Sequence, residues 1–182
     1  TIDGTYSADL TAGYGNGVYV SGKWDDKAHM PIVNLNHTDI KITGSGNALK
    51  IGKKDRSSLL RQYRDGWGAG ELNFKAGARV NINQSAATGE AIALTYGGSV
   101  LNAPETEAFK VVSQDNTIRV GNDILTNNVQ DSSQLISASI NNADFTQTPS
   151  NTNSMFRIDP NQAQVAFNFT GDNTTMTSAD NG

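Results

Sequence analysis

The chain has 182 residues, no cysteine and a formal net charge of −4, which excludes a disulfide frame, thiolate chemistry and any general attraction to nucleic acid or anionic lipid. Its length suits one domain with a sizeable core. A hydrophobic share of 36%, 18 glycines and many Asn, Ser, Thr and Asp residues favour turns over helix interiors, the composition of a loop-rich β protein.

Residues 1–12 alternate without a break, with Ile2, Gly4, Tyr6, Ala8, Leu10 and Ala12 on one face and Asp3, Thr5, Ser7, Asp9 and Thr11 on the other. This is a two-faced strand at a terminus, the pattern of a segment that docks into a groove. After a Gly-rich break at 13–17, residues 18–24 resume alternation through Val18, Val20 and Trp24. Residues 32–43 hold two apolar registers, Val33 with Leu35 and then Ile40 with Ile42, which predicts a kink near His37. A short strand is expected at 48–51. Residues 55–64 read as the one helix: Asp55 can cap it, Leu59, Leu60 and Tyr63 share a face, and Asp65-Gly66 can stop it.

Further strands are expected at 71–74, 78–83, 90–96, 108–112, 117–120, 135–140, 155–158 and 164–170. Gly97-Gly98, Gly121-Asn122, Asn127-Asn128 and Asn141-Asn142 lie between them as chain reversals. No internal repeat of fixed period is visible, and 172–182 reads as a polar tail. Many short strands with frequent turns predict an all-β sandwich or barrel. No apolar run is long enough to span a bilayer as a helix. A start at Thr1 without a basic-then-apolar leader fits a processed chain, and equally one that has lost its initiator Met.

Acid–base chemistry needs convergent titratable groups, and the nearest approach is Asp25, Asp26, His29, His37 and Asp39, read more simply as a solvated turn with ordinary surface histidines. Asp115-Asn116 and Asn122-Asp123 bracket a strand as oxygen-rich loops that suit calcium, although turn chemistry accounts for them equally. Neither pattern defines a catalytic residue, a metal or a cofactor. Lys50, Lys53, Lys54, Arg56, Arg61 and Arg64 put six of the 14 basic residues into one stretch of an acidic chain, a patch able to steer a complementary surface. Trp24, Trp67, Tyr14, Tyr19 and Tyr96 offer faces on which sugar rings stack, or core packing. Asn36, Asn83, Asn168 and Asn173 stand in Asn-x-Ser/Thr sequons.

The opening segment, Ile2 to Leu10, resembles the N-terminal donor strand of cysteine-free chaperone-usher pilins. Residues 164–169, ending in Phe167-Asn168-Phe169, resemble the final strand of such subunits, although the polar segment 172–182 departs from that pattern. The resemblance implies an immunoglobulin-like β-sandwich (13–171) completed by strand exchange. Ile2, Gly4, Tyr6, Ala8 and Leu10 of a donor strand (1–12) would then meet an acceptor edge lined by Val165, Phe167 and Phe169 of a neighbour.

The expected function is a structural, non-enzymatic subunit of an extracellular pilus or fimbria on the cell surface. Its partners would be identical subunits and, in adhesion, a surface glycan or receptor, with no nucleic acid and no membrane span. A phage or virus structural protein in a virion (tail tube, fibre or capsid decoration) is the alternative, and a carbohydrate-binding β domain the second.

Overall fold

In a computed structural model the described residues, 2–10, 16–21, 30–52, 68–84, 90–121, 134–148, 154–158 and 164–178, form parallel β structure throughout. The strands in chain order are β1 (Ile2–Leu10), β2 (Asn16–Val20), β3 (Ile32–Gly44), β4 (Asn47–Ile51), β5 (Glu71–Phe74), β6 (Arg79–Gln84), β7 (Ile92–Leu94) and β8 (Val100–Ala103). There follow β9 (Ala108–Ser113), β10 (Ile118–Val120), β11 (Ile136–Asn141), β12 (Ala143–Gln147), β13 (Phe156–Ile158), β14 (Val165–Thr170) and β15 (Thr175–Ser178). A curled ten-stranded sheet runs β14-β11-β8-β5-β3-β6-β9-β12-β15 with β1 on β3, and a five-stranded sheet runs β13-β10-β7-β4-β2.

The chain therefore winds as a coil. Each turn lays one strand on a first face (β3, β5, β8, β11, β14), one on a second (β3, β6, β9, β12, β15) and one on a third (β2, β4, β7, β10, β13). The long strand β3 joins the first two faces, since Ile32–Leu35 pair with β5 and Asp39–Gly44 pair with β6. Strand β1 follows β3 across the same bend. This is the architecture of a β-solenoid, in which each turn buries its apolar residues against the next.

The immunoglobulin-like antiparallel sandwich is thus corrected: every strand pair described is parallel. Alternation of apolar and polar residues is the same whichever way the neighbouring strand runs, so the expected strands are largely present while their pairing differs. The helix expected at 55–64 lies outside the described residues.

The bend between the first and second faces has a local cause. Gly4 (φ 121°), His37 (φ 43°), Gly77 (φ 76°), Asn142 (φ 53°) and Gly171 (φ 95°) each stand there in the left-handed region. A single such residue redirects the chain without ending it, and Gly and Asn adopt that conformation at least cost. His37 is the kink that the two registers of β3 predict, and it closes over Gly77, where an added Cβ would lie 2.8 Å from His37 Cδ2. Between β11 and β12 Asn142 N–H donates to Thr170 O (2.8 Å) and Thr106 Oγ1 donates to Asn141 O (2.8 Å), tying three successive turns at this corner.

Inside, residues stack in columns. Ile42, Ile82, Val111, Phe145 and Met176 are successive register partners on the second face, and Val20, Ile51, Leu94, Val120 and Ile158 are partners on the third. Phe74 on the first face and Phe109 and Phe145 on the second are fully buried and meet edge-on, with centroids 5.7 and 6.3 Å apart. Each such side chain contributes about 1.5–3 kcal/mol through burial and edge-to-face packing about 0.5–1.5 kcal/mol more per pair.

Candidate functional site

Outward-facing residues stack in the same register, so each face carries ladders of side chains along the coil axis. On the first face Asn34, Asn73, Asn102, Ser139 and Asn168 form one column. Asn73 Nδ2 donates to Asn34 Oδ1 (2.9 Å) and to Glu71 Oε1 (2.7 Å), and Asn102 Nδ2 donates to Asn73 Oδ1 (2.9 Å). Asn73 is only 4% exposed, so its amide is enclosed by the neighbours that satisfy it.

The second face presents Lys41, Asn81, Lys110, Asp144 and Thr175 in one column and Thr43, Asn83, Val112, Thr146 and Thr177 in the next. Thr175 Oγ1 donates to Asp144 Oδ1 at 2.7 Å. At its edge the guanidinium of Arg79 meets Glu107 (Nε to Oε2, 2.7 Å), which raises the arginine pKa above its ordinary value through that hydrogen bond and the opposite charge. Both side chains are more than half exposed, so water screens the pair.

The third face stacks Tyr19, Lys50, Ala93, Arg119 and Arg157. Lys50 Nζ lies 5.7 Å from the Tyr19 ring centroid, a cation–π geometry. Arg119 Nη1 donates to Glu90 Oε1 at 2.8 Å, with both side chains mostly enclosed.

The two ends of the coil differ. At the C-terminal end Phe156, Phe167 and Phe169 pack together with centroids 5.6–6.0 Å apart and are half-buried. Met176 and Ile158, the last members of two core columns, are 41% and 49% exposed. At the N-terminal end Tyr6 and Tyr19 are 39% and 42% exposed, and Tyr6 Oη donates to Gly17 O at 2.6 Å.

The residues singled out from the sequence distribute as follows. Ile2, Gly4, Tyr6, Ala8 and Leu10 lie on β1, paired in parallel with β3 of the same chain opposite Leu35, Thr38, Ile40, Ile42 and Gly44. Val165, Phe167 and Phe169 lie on β14 at one end of the sheet, half-buried and facing the core, with β11 as neighbour. Of the basic patch Lys50 sits on β4; Lys53, Lys54, Arg56, Arg61 and Arg64 lie outside the described residues.

Asp25, Asp26 and His29 are also outside them, while His37 and Asp39 are exposed at and beyond the kink in β3. Among the described residues no group of three or more His, Cys, Asp or Glu is placed to hold a metal ion. Asp115 Oδ1 accepts from Asn116 N–H (2.8 Å) and Asn116 Nδ2 donates to Ser154 O, which is turn chemistry; Asn122 and Asp123 fall outside. Of the aromatic set Tyr19 is exposed and Tyr96 is buried, and Tyr14, Trp24 and Trp67 are not among the described residues. Among the sequons Asn83, Asn168 and Asn173 are exposed and Asn36 is half-buried. No helix among the described residues is long and apolar enough to cross a membrane.

Strands β8, β12 and β15, and with them the ladders, are absent from the sequence reading. The signal for β8 and for the ladders is a recurring tripeptide with apolar ends: 33–35, 72–74, 101–103 and 167–169 all carry Asn at the centre, and 40–42 and 109–111 carry Lys. Comparison of the chain with models of known families, with curated proteins and with solved structures finds no match in any of the three.

Proposed function

We propose that this chain is a structural subunit of an elongated filament, on a cell surface or in a virion, whose role is to provide length and an ordered outer surface. The observation that supports this reading is the continuity of the columns. One apolar column on the second face runs without interruption from Ile42 to Met176, and a hydrogen-bonded Asn ladder runs parallel to it outside, on the first face.

Such a coil has a defined axis and grows by adding identical turns. With β1 and five further strand layers on the second face and a rise of about 4.8 Å per layer, the described coil is roughly 29 Å long. Exchange of β1 as a donor strand gains no support from its pairing with β3, and this proposal does not use it.

Immunogold labelling of the native assembly with antibodies against the chain tests the reading. Label spaced along a filament or tail is the expected result. Label confined to a compact soluble particle, or turnover of a substrate by that particle, would overturn it.

A further inference from the structure

The two unlike ends of the coil are complementary in strand direction and column position. The C-terminal end is formed by β13, β14 and β15, each paired on one side only among the described residues, and the N-terminal end by β1 and β2. Because all pairing is parallel, the outer edge of β14 and β15 offers the ladder groups to which a strand running like β1 would pair.

Strand register would continue as well. On the second face the next position after Met176 is that of Ala8, and on the third the position after Ile158 is that of Val20. Core columns that are sealed at Ile42, Ile51 and Leu94 thus reach exposed Ile158 and Met176, apolar surface that further stacking would cover.

Charge chemistry agrees. Tyr19 opens the outward column of the third face and already carries the ammonium of Lys50 near its ring at 5.7 Å. Arg157 closes that column. In a continued stack the guanidinium would stand beside the exposed Tyr19 ring of the next chain, repeating the Lys50 contact with a cation better suited to stacking.

We propose that β1 and β2 of a second copy add to β13, β14 and β15, so that chains stack head to tail. This rests on the structural reading above and supplies its joint. A contact between unlike ends does not close on itself, so it generates an open filament rather than a dimer.

The chain contains no cysteine, which permits a direct test on the purified 182-residue chain. Strand neighbours in a parallel sheet bring Cα atoms to about 5 Å, within disulfide reach. Tyr19→Cys and Arg157→Cys stand four strands apart within one chain and can meet only between chains. The double variant should give a ladder of covalent oligomers on oxidation, while each single variant should give at most a dimer.

Met176→Lys and Ile158→Lys change exposed side chains, so the melting curve should stay within a few degrees of the parent. Together they should abolish the ladder and shorten filaments when mixed with the parent at low ratio. A parent chain that sediments as a monomer at 100-fold different concentrations, with no ladder from the double variant, would overturn the proposal; so would ladders unaffected by the two lysines. Filaments that carry the label while the purified chain remains monomeric would refute this joint and leave the structural reading standing, with another component as the connector.

Discussion

The enclosed amide of Asn73 allows the ladder to be tested quantitatively. Asn73→Asp is almost isosteric, yet it removes both donors: the bond to Asn34 Oδ1 at 2.9 Å and the bond to Glu71 Oε1 at 2.7 Å. A neutral bond contributes about 0.5–1.5 kcal/mol and one to a charged partner about 1.5–3 kcal/mol. Two carboxylates held in such proximity add repulsion of up to about 4 kcal/mol at an effective dielectric of 20, before Glu71, half-buried, turns toward water. The expected net loss in urea unfolding at pH 7 is about 3–5 kcal/mol.

The pH dependence has a definite sign. In the variant the folded state disfavours the second negative charge, so the new carboxyl has a folded pKa above the unfolded value of about 3.9. The penalty is complete above the raised value and vanishes as pH falls below the unfolded one. Glu71→Gln in the same background should recover about half of the loss. Asn168→Asp, at the exposed end of the column where Asn168 Nδ2 reaches Ser139 Oγ only at 3.5 Å, should cost less than about 0.5 kcal/mol. Equal effects at the two positions, or a loss under about 1 kcal/mol at Asn73, would refute the ladder as a stabilising element.

Phe109→Ala removes the ring between Phe74 and Phe145 and should lower stability by about 3–5 kcal/mol in chemical denaturation. Gly52→Ala places a Cβ 2.9 Å from the backbone nitrogen of Tyr96 at φ +82°, with an expected cost of about 2–3 kcal/mol in the same assay. Ser99→Ala should raise stability by about 1 kcal/mol, because Ser99 Oγ is buried with no hydrogen-bond partner among the described residues. Arg79→Ala should leave the melting temperature unchanged within error, since its contact with Glu107 is exposed.

Strand positions were legible because a buried column needs an apolar residue at every second place, and Ile40-Lys41-Ile42 or Leu49-Lys50-Ile51 satisfies that in any sheet. Strand direction was not. The pairs Gly97-Gly98 and Asn141-Asn142 carry the chemistry of a hairpin, but Asn142, at φ 53°, turns the chain only from the first face to the second. The same left-handed residue serves a reversal and a corner, and the sequence does not record which. Strands β12 and β15 offer one large inward residue each, Phe145 and Met176, too little for alternation to stand out among Asp, Thr, Gln and Ser. The repeat itself is hidden by uneven turns: Val33, Leu72, Leu101, Ala138 and Phe167 share a column yet lie 39, 29, 37 and 29 residues apart. Insertions between faces leave the column intact because only the strand register, and not the length of the connection, is read by the neighbouring turn.

That independence explains how the outer surface can be regular while the chain is not. Parallel strands ordinarily need a long crossover, commonly a helix, to return to the same edge; here the crossover from β5 to β8 consists of β6 and β7, which are themselves strands of the other faces. Each connection therefore also buries core, and every added turn contributes on three faces at once. The cost falls at the ends, where one side of a turn has no successor: burial declines from Ile140 and Phe145 to half-buried Phe169 and exposed Met176 within one turn. A fold that derives stability from neighbours along one axis leaves its largest unsatisfied apolar columns at the poles of that axis. The exposed methionine and isoleucine at the C-terminal pole thus mark where continued stacking would bury the most surface for the least rearrangement.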